Sequence, residues 1–339
     1  MKICFITEYF DKSYGGQYFA VKNVMEICQI LKINYSIIFK ANKNFIDRKR
    51  LIKEIQSSDI VYIFGGWTVF YIKMSVLSHK LKKKIIVHPM GFYEPWSLSQ
   101  KKIKKTIAWY LYQEFFLNKA DLIHCASNNE MLNLKKLNSK LNTVILPFAL
   151  DKKDIKKKIN DNFRKKCIFF SRLHKKKGLD KLLQAWISVN DQSWQLDIVG
   201  FGEKEGYVNK YNTSKYKNIK FLKPINSKKS KINLLDKYDF LALPSANENF
   251  GIVILEALAR GLPVLTTNQT PWKIIQDQKA GWIINDSLIE LKLALHQIFF
   301  LSNNEFYKRK KKATQIAKKF TNEKIAKFYL KAFKNVLSL

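Results

Sequence analysis

The chain has 339 residues, of which 47% are hydrophobic and 14% are aromatic. This composition excludes a disordered protein, and the length suits two domains better than one small core. The formal net charge of +34 would attract phosphates, anionic lipid or nucleic acid. Lysine is abundant in every segment, as a low-GC codon bias would also produce. Charge alone therefore leaves compositional drift and selection for an anionic partner as even alternatives.

Short runs rich in Ile, Val and Phe alternate with helix-length amphipathic segments, which indicates βα units on parallel sheets. In the first half, the predicted strands are 2–7, 35–39, 60–64, 84–88, 122–126 and 143–147, with helices between them, notably 20–32 and 104–118. The charged stretch 151–166 then predicts a solvated linker. After it come predicted strands 167–171, 194–199, 219–222, 240–243 and 263–266, and helices 179–187 and 252–260. Two α/β halves predict a cleft, with ligands beyond the carboxyl ends of the strands.

The four cysteines are scattered and lack the paired spacing of a zinc site: Cys4, Cys28, Cys125 and Cys167. We expect reduced, buried thiols in a cytoplasmic protein. No apolar run reaches about 18 residues, and the N-terminal run is too short for a signal peptide. Any membrane contact is therefore expected to be peripheral.

The stretch 245–267 leaves a predicted strand, crosses a polar loop and enters a helix. Glu248 in the loop and Glu256 in the helix can accept hydrogen bonds from sugar hydroxyls. The free amides of a helix N-terminus attract anions, which predicts a donor-binding segment at Asn249, Phe250, Gly251 and Ile252. The alternative is a cap carboxylate followed by a surface glutamate.

A second segment at 169–183 has the same order of strand, loop and helix. Its loop places Arg172 and Lys177 at the carboxyl end of the strand, facing the predicted cleft. Two cations there can neutralise a diphosphate leaving group in place of a metal ion. A solvated basic loop is the alternative.

Gly15 and Gly16 follow the first predicted strand and precede a helix. At that position, backbone amides can meet a phosphate or an acceptor. The pair is weak evidence by itself, because tight turns also use two glycines.

Together, these residues resemble a known family. The E-x7-E motif from Glu248 to Glu256, combined with R-L-x-x-x-K-G from Arg172, is similar to the retaining glycosyltransferases of family four, and the likeness covers nearly the whole chain. The resemblance implies an α/β GT-B fold, with two Rossmann-like domains whose parallel sheets face a central cleft. It implies an acceptor-binding domain at 1–155, a nucleotide-sugar-binding domain at 156–320, and a last helix at about 321–339 that returns to the first domain.

The resemblance also implies roles for single residues. Glu248 would lie against the transferred sugar, Glu256 would hold the ribose, and Arg172 and Lys177 would bind the diphosphate. The loop residues Gly200 and Gly202 match positions near the base. Segments 90–98, 270–272 and 281–282 resemble a subgroup that is common in gene clusters for surface polysaccharides.

The implied activity is transfer of a sugar, with retention of configuration, from a nucleotide diphosphate sugar to the hydroxyl of a glycan or lipid-linked acceptor. The expected pathway is synthesis of lipopolysaccharide, capsule or another surface glycan. No Asp-x-Asp pair occurs, and the histidines show no ligand spacing: His79, His88, His124, His174 and His296. We therefore predict no metal site and no cofactor.

One departure from the family pattern lies after the fourth predicted strand. Met90-Gly91 stands where the family usually has His-Gly. His88 is expected to share the strand face of position 90. It is either a substitute for the missing histidine at the donor sugar or a structural residue, so its catalytic assignment is the weakest one.

The segment 99–119 places four lysines beside several aromatic residues: Lys101, Lys102, Lys104 and Lys105 next to Trp109, Tyr110, Tyr112, Phe115 and Phe116. It could dock the protein on the anionic cytoplasmic face of the inner membrane. The aromatics run around most of the predicted helix, however, which favours a buried core helix.

Two rival functions remain. The net charge motivates a nucleic-acid-binding protein, but the lysines are spread over every segment instead of gathered on one face, so we expect no nucleic-acid partner. A GT-B sugar-nucleotide epimerase or phosphorylase would carry similar motifs, and its products would distinguish it.

Overall fold

The computed structural model describes residues 1–40, 47–159, 161, 163–225 and 227–339. They form two compact units. The first comprises Met1–Ala149 and Asn322–Leu339, and the second comprises Leu150–Thr321. Each unit contains a six-stranded sheet in which every observed strand pair is parallel.

The first unit has the strand order β2-β1-β3-β4-β5-β6. Its strands are β1 (Lys2–Thr7), β2 (Asn34–Phe39), β3 (Ile60–Phe64), β4 (Lys84–His88), β5 (Leu122–Cys125) and β6 (Thr143–Ile145). Its first seven helices are α1 (Gly16–Ile30), α2 (Arg48–Gln56), α3 (Val69–Lys80), α4 (Pro95–Ser99), α5 (Lys102–Ala108), α6 (Glu114–Asn118) and α7 (Asn128–Leu137). All five residues of β3 are buried, because a central parallel strand is covered on both faces.

The second unit has the strand order β12-β11-β10-β7-β8-β9. Its strands are β7 (Lys166–Phe170), β8 (Gln195–Val199), β9 (Ile219–Leu222), β10 (Phe240–Leu243), β11 (Val264–Thr267) and β12 (Gly281–Ile284). Its helices are α8 (Leu179–Val189), α9 (Lys204–Tyr211), α10 (Lys228–Leu235), α11 (Ile252–Ala259), α12 (Ile274–Asp277), α13 (Leu288–Phe299) and α14 (Asn303–Ala317).

The strand order reverses between β1 and β3 in the first unit and between β7 and β10 in the second. In doubly wound sheets, ligands bind at this switch point, beyond the carboxyl ends of the strands. The loops that follow β7 and β10 carry both second-unit motifs identified in the sequence.

The final helix, α15 (Asn322–Ser338), belongs to the first unit. Its buried Tyr329 contacts the end of the first sheet, where the hydroxyl donates a hydrogen bond to the Leu146 carbonyl at 3.4 Å. Within the described residues, no helix is both long enough and apolar enough to cross a bilayer. All four cysteines are buried and unbridged.

The stretch 151–166, predicted as a solvated linker, packs on the second unit instead. Ile155 is buried, the Lys156 amide donates to the Ala259 carbonyl at 2.8 Å, and Arg260 donates to the Asp154 carbonyl at 2.6 Å. Asn160 and Asn162 of this stretch lie outside the described residues. The linker prediction was wrong because a few apolar anchors among many lysines are sufficient to hold the segment.

The predicted buried helix 104–118 is also wrong in one respect. It consists of α5, a π-helical turn at Trp109–Gln113, and α6. Gln113, Phe116 and Leu117 are buried, but α5 contains no buried residue, and Tyr110 and Leu111 are each more than 70% exposed.

Candidate functional site

The loops after β7 and β10 touch at the switch point of the second sheet. The Ala246 amide donates to the Lys176 carbonyl at 2.9 Å. Gly178 has a φ of 74°, and a Cβ on it would lie 2.0 Å from the Pro244 carbonyl oxygen. Glycine is required there because both the backbone conformation and the close approach exclude a side chain.

This contact brings the two sequence motifs together. The Lys177 ammonium lies 2.5 Å from Oε1 of Glu248, and the Ser245 hydroxyl donates to the same oxygen at 2.8 Å. Glu248 is buried, and the Lys177 side chain is 15% exposed. The sequence predicted Lys177 and Glu248 as site residues but did not predict their direct pairing.

Glu248 is ionised although it is buried. Burial acts to raise its pKa, but the Lys177 ammonium and the hydrogen bonds from Lys177 and Ser245 outweigh burial, so the pKa lies below its ordinary value. The site therefore presents a fixed carboxylate and a fixed ammonium in one small volume.

Gly251 begins the next part of the site, because it adopts a left-handed conformation with a φ of 78° immediately before α11. This turn aims the first amides of α11, beginning with Ile252, out of the helix. The buried Trp272 indole donates a hydrogen bond to the Phe250 carbonyl. Phe250 itself is buried against Trp272, so its side chain supports the loop. Asn249 is partly exposed in the same loop.

Glu256 lies one turn into α11 and forms a second ion pair. Its Oε1 is 2.5 Å from the ammonium of Lys231 on α10. That ammonium also lies over the ring of Phe170, the last residue of β7. Lys231 was not predicted, because the run 228–231 is one of many basic runs and nothing in the sequence links it to Glu256.

Arg172 is exposed in the loop after β7, and its guanidinium makes no ion pair within the described part of the chain. It is close enough to His174 to help lower the pKa of that imidazole, although burial is the larger cause. Lys177, in the same loop, engages the carboxylate of Glu248 from the loop after β10, whereas Arg172 pairs with no carboxylate among the described residues.

Gly200 and Gly202 join the loop after β8 to the loop that carries Arg172. The Leu173 amide donates to the Phe201 carbonyl at 2.7 Å. A Cβ on Gly200 would lie 1.7 Å from the Ser171 carbonyl oxygen, and one on Gly202 would lie 2.6 Å from the Leu173 carbonyl oxygen. Both glycines thus have a structural reason to be present, besides the predicted contact with the base.

Gly15 and Gly16 lie in the first unit, after β1 and at the start of α1. Gly15 has a φ of 56°, and a Cβ on Gly16 would meet no atom within 4 Å. Gly16 therefore faces open space, as a ligand-binding glycine does.

His88 is fully buried at the end of β4. Its ring stacks on that of His124 with centroids 4.0 Å apart, and its Nδ1 donates to the His124 carbonyl at 2.8 Å. Burial lowers the pKa of His88 to about 4, so the ring is neutral near pH 7. Contact with a donor sugar would require its neighbours to move, and the catalytic role of His88 stays a prediction.

Met90 does not share a strand face with His88, because β4 ends at His88 and Met90 adopts a left-handed conformation with a φ of 53°. The adjacent Gly91 amide donates to Oε1 of the buried Glu130 at 2.7 Å. Oε2 of Glu130 accepts from the Ala126 amide at 2.7 Å, so one carboxylate joins the loops after β4 and β5. Glu130 was not predicted as important.

The family model for glycosyl transferases group 1 matches residues 151–334, which is more than half of the chain. The chain belongs to the group 1 glycosyl transferases. The match includes both ion pairs and Arg172.

Two relatives support this membership. An uncharacterized glycosyltransferase of Haemophilus influenzae is 24% identical over 317 residues, which cover 87% of this chain and 82% of the relative. An uncharacterized 41.2 kDa protein from the cps region of Klebsiella pneumoniae is 26% identical over 300 residues, covering 82% and 79%.

Solved structures agree on the fold. The structural alignment with the sucrose-phosphate synthase of Thermosynechococcus elongatus covers 100% of this group 1 chain and 99% of the synthase chain. Its TM-score is 0.80 and the sequence identity is 14%. HepE of Anabaena, solved with UDP and glucose, matches 99% and 100%, with a TM-score of 0.76 and 17% identity. The predicted GT-B fold, with two Rossmann-like α/β domains, is confirmed.

Proposed function

We propose that this group 1 glycosyltransferase belongs to the retaining family four and moves a sugar from a nucleotide diphosphate sugar to an acceptor hydroxyl. The observation that carries the proposal is the Lys177–Glu248 pair at the switch point, beside the start of α11. A diphosphate sugar offers one partner to each member of that pair. Its phosphates match the ammonium, and its sugar hydroxyls match the carboxylate.

The remaining residues complete a donor site of the same chemistry. Arg172 carries a second positive charge for the diphosphate, and the amides at Gly251 and Ile252 add hydrogen-bond donors. Glu256, oriented by Lys231, accepts from the ribose hydroxyls. Gly200 and Gly202 keep the neighbouring loop close to the base. In the first unit, Gly16 offers its backbone amide to a phosphate or to the acceptor, whereas the Gly15 amide already donates to the Lys12 carbonyl at 3.0 Å.

The reaction breaks the bond between the anomeric carbon and the diphosphate oxygen and forms a bond from that carbon to the acceptor oxygen on the same face. The departing diphosphate takes the acceptor proton, so no protein nucleophile is needed. The protein contributes positioning and charge: Arg172 and Lys177 stabilise the leaving group as it becomes more negative. These two cations take the place of a divalent metal ion, and no further cofactor is required.

We further propose a cytoplasmic role in the synthesis of a capsule, lipopolysaccharide or other surface glycan. The relative from a cps region supports this pathway class. A uridine diphosphate sugar is the first donor to test, because HepE was solved with UDP and glucose.

The test begins with thermal-shift screening of UDP-, GDP- and ADP-sugars in the presence of EDTA. The stabilising donor is then incubated with candidate glycan acceptors, and the anomeric configuration of the product is read by NMR. We expect stabilisation by one nucleotide class and a product with retained configuration. A changed donor sugar without any acceptor would show an epimerase, inversion would exclude family four, and salt-dependent DNA binding without donor binding would overturn the proposal.

A further inference from the structure

An exposed apolar stripe runs along α5, the π-helical turn and α6 of the first unit. Its members are large side chains that are 49–78% exposed: Ile103, Ile107, Tyr110, Leu111 and Phe115. In the π-helical turn and α6, Gln113, Phe116 and Leu117 are buried, whereas α5 contains no buried residue. The segment therefore has an apolar side that faces outward as well as one that packs on its own unit.

The π-helical turn reduces the drift of the stripe around the segment. Ile103, Ile107, Leu111 and Phe115 recur every four residues, whereas an α-helix turns once in 3.6 residues. Such a row would drift around a regular helix. The π-helical turn contains more residues than an α-helical turn, because the Glu114 amide donates to the Trp109 carbonyl. It therefore offsets part of this drift.

Lysines stand at both ends of the stripe. Lys101, Lys102 and Lys104 are exposed at its start. At its far end, the Lys119 ammonium lies over the Phe115 ring, 5.2 Å from the ring centroid. Glu114 is the sole acidic residue between 99 and 119, and its carboxylate already accepts from Asn138.

We propose that the stripe is an interfacial membrane anchor that inserts its apolar side chains into the headgroup boundary of an anionic bilayer. A helix whose exposed face is apolar and is flanked by positively charged lysines matches the chemistry of a negatively charged lipid surface. Tyr110 suits the same boundary, because its ring is apolar and its hydroxyl polar. The anchor is separate from the donor site, which lies in the second unit.

The test is flotation of the full chain with vesicles of phosphatidylcholine alone or with about one third phosphatidylglycerol. We expect co-flotation with the anionic vesicles only. Ile107→Ser/Leu111→Ser should lower the partition coefficient about tenfold or more, since each change removes apolar area that inserts. Lys101→Glu/Lys102→Glu/Lys104→Glu should abolish the preference for anionic lipid.

Matched controls come from the second unit. Ile289→Ser/Leu293→Ser changes two exposed apolar residues four apart on α13, and Lys308→Glu/Lys311→Glu/Lys312→Glu changes three exposed lysines on α14. Both should float like the unmodified protein, and all four variants should keep its thermal unfolding temperature and its donor-induced thermal shift. The proposal would be overturned if the stripe variants floated as well as the unmodified protein. It would also be overturned if substitutions in the stripe changed only the oligomeric state, as measured by analytical ultracentrifugation. Neither outcome would affect the proposed transfer reaction, which is measured by the donor shift.

Discussion

Lys177 and Glu248 neutralise each other across two loops, with 2.5 Å between the ammonium nitrogen and Oε1. In the proposed donor complex, phosphate on one side and sugar hydroxyls on the other replace this contact. Because the pair is largely buried, removal of one partner leaves a charge without compensation. Stability and activity should therefore respond differently to single and double substitutions.

Lys177→Met and Glu248→Gln are each expected to lower turnover about 100-fold or more, because each removes charge or hydrogen bonding at the transferred group. Lys177→Met should also destabilise the protein by about 3 kcal/mol, since Glu248 stays buried without its cation. The double variant should recover most of this stability but no activity. Lys175→Met, in the same basic loop but exposed, is the control. Normal turnover in both single variants would refute the site.

The second ion pair supports a separate prediction. Glu256→Gln and Lys231→Met should raise the donor KM by about tenfold or more, with a smaller effect on turnover, because a ribose contact is the same in the ground state and the transition state. Lys228→Met provides the control on the same helix, as its ammonium pairs with Asp154 instead. An unchanged donor KM in the Lys231 variant would show that Glu256 needs no such partner.

The glycines divide into two groups that substitution can separate. Gly16→Ala should leave the fold intact or stabilise it by about 0.5 kcal/mol, because a Cβ meets open space. It should nevertheless raise the KM for donor or acceptor if that space holds ligand. Gly200→Ala should cost about 2 kcal/mol or more, because the Cβ overlaps the Ser171 carbonyl. Thermal unfolding and steady-state kinetics measure both, with Gly206→Ala on α9 as a tolerated control. A stable Gly200→Ala variant would contradict this account.

Much of the sheet architecture could be predicted from sequence, because parallel strands buried on both faces appear as short runs of Ile, Val and Phe. The strand β12, with Gly281 and Trp282 in only four residues, was missed because it has no such run. The start of α1 at Gly16 was also missed, since glycine carries no helix signal.

The site was only partly predictable. Glu248 and Lys177 stand out through their motifs, but a pairing across 71 residues depends on strand order, which composition does not show. Lys231 is hidden by the abundance of lysine. The sequence left an outward-facing segment at 99–119 as the less favoured of two alternatives for a related reason: periodicity shows that a helix has apolar sides, but not which of them packs against the protein.

The buried His88–His124 pair predicts an acid-dependent loss of stability in the first unit. Burial lowers the pKa of both rings, and an additional cause for His124 is the neighbouring His88. A folded pKa below the unfolded value of about 6.5 means that the unfolded chain binds more protons below that pH. Stability is therefore complete above about pH 6.5 and declines toward pH 4, by about 3 kcal/mol for His88 alone, given its pKa of about 4.

His88→Phe isolates this effect, because the ring still packs against Phe64 and Phe148 but cannot take up a proton. At pH 7 the variant should be less stable by about 1–3 kcal/mol, since the His124 carbonyl loses its donor. Between pH 6.5 and 5, however, its free energy of unfolding, measured by urea titration, should fall less steeply with pH than that of the unmodified protein. The difference in slope should correspond to the uptake of about one proton. The exposed His79→Gln variant should keep the original slope. Parallel pH profiles for His88→Phe and the unmodified protein would show that His88 takes up its proton without unfolding, and hence that it is accessible to solvent or to a bound sugar.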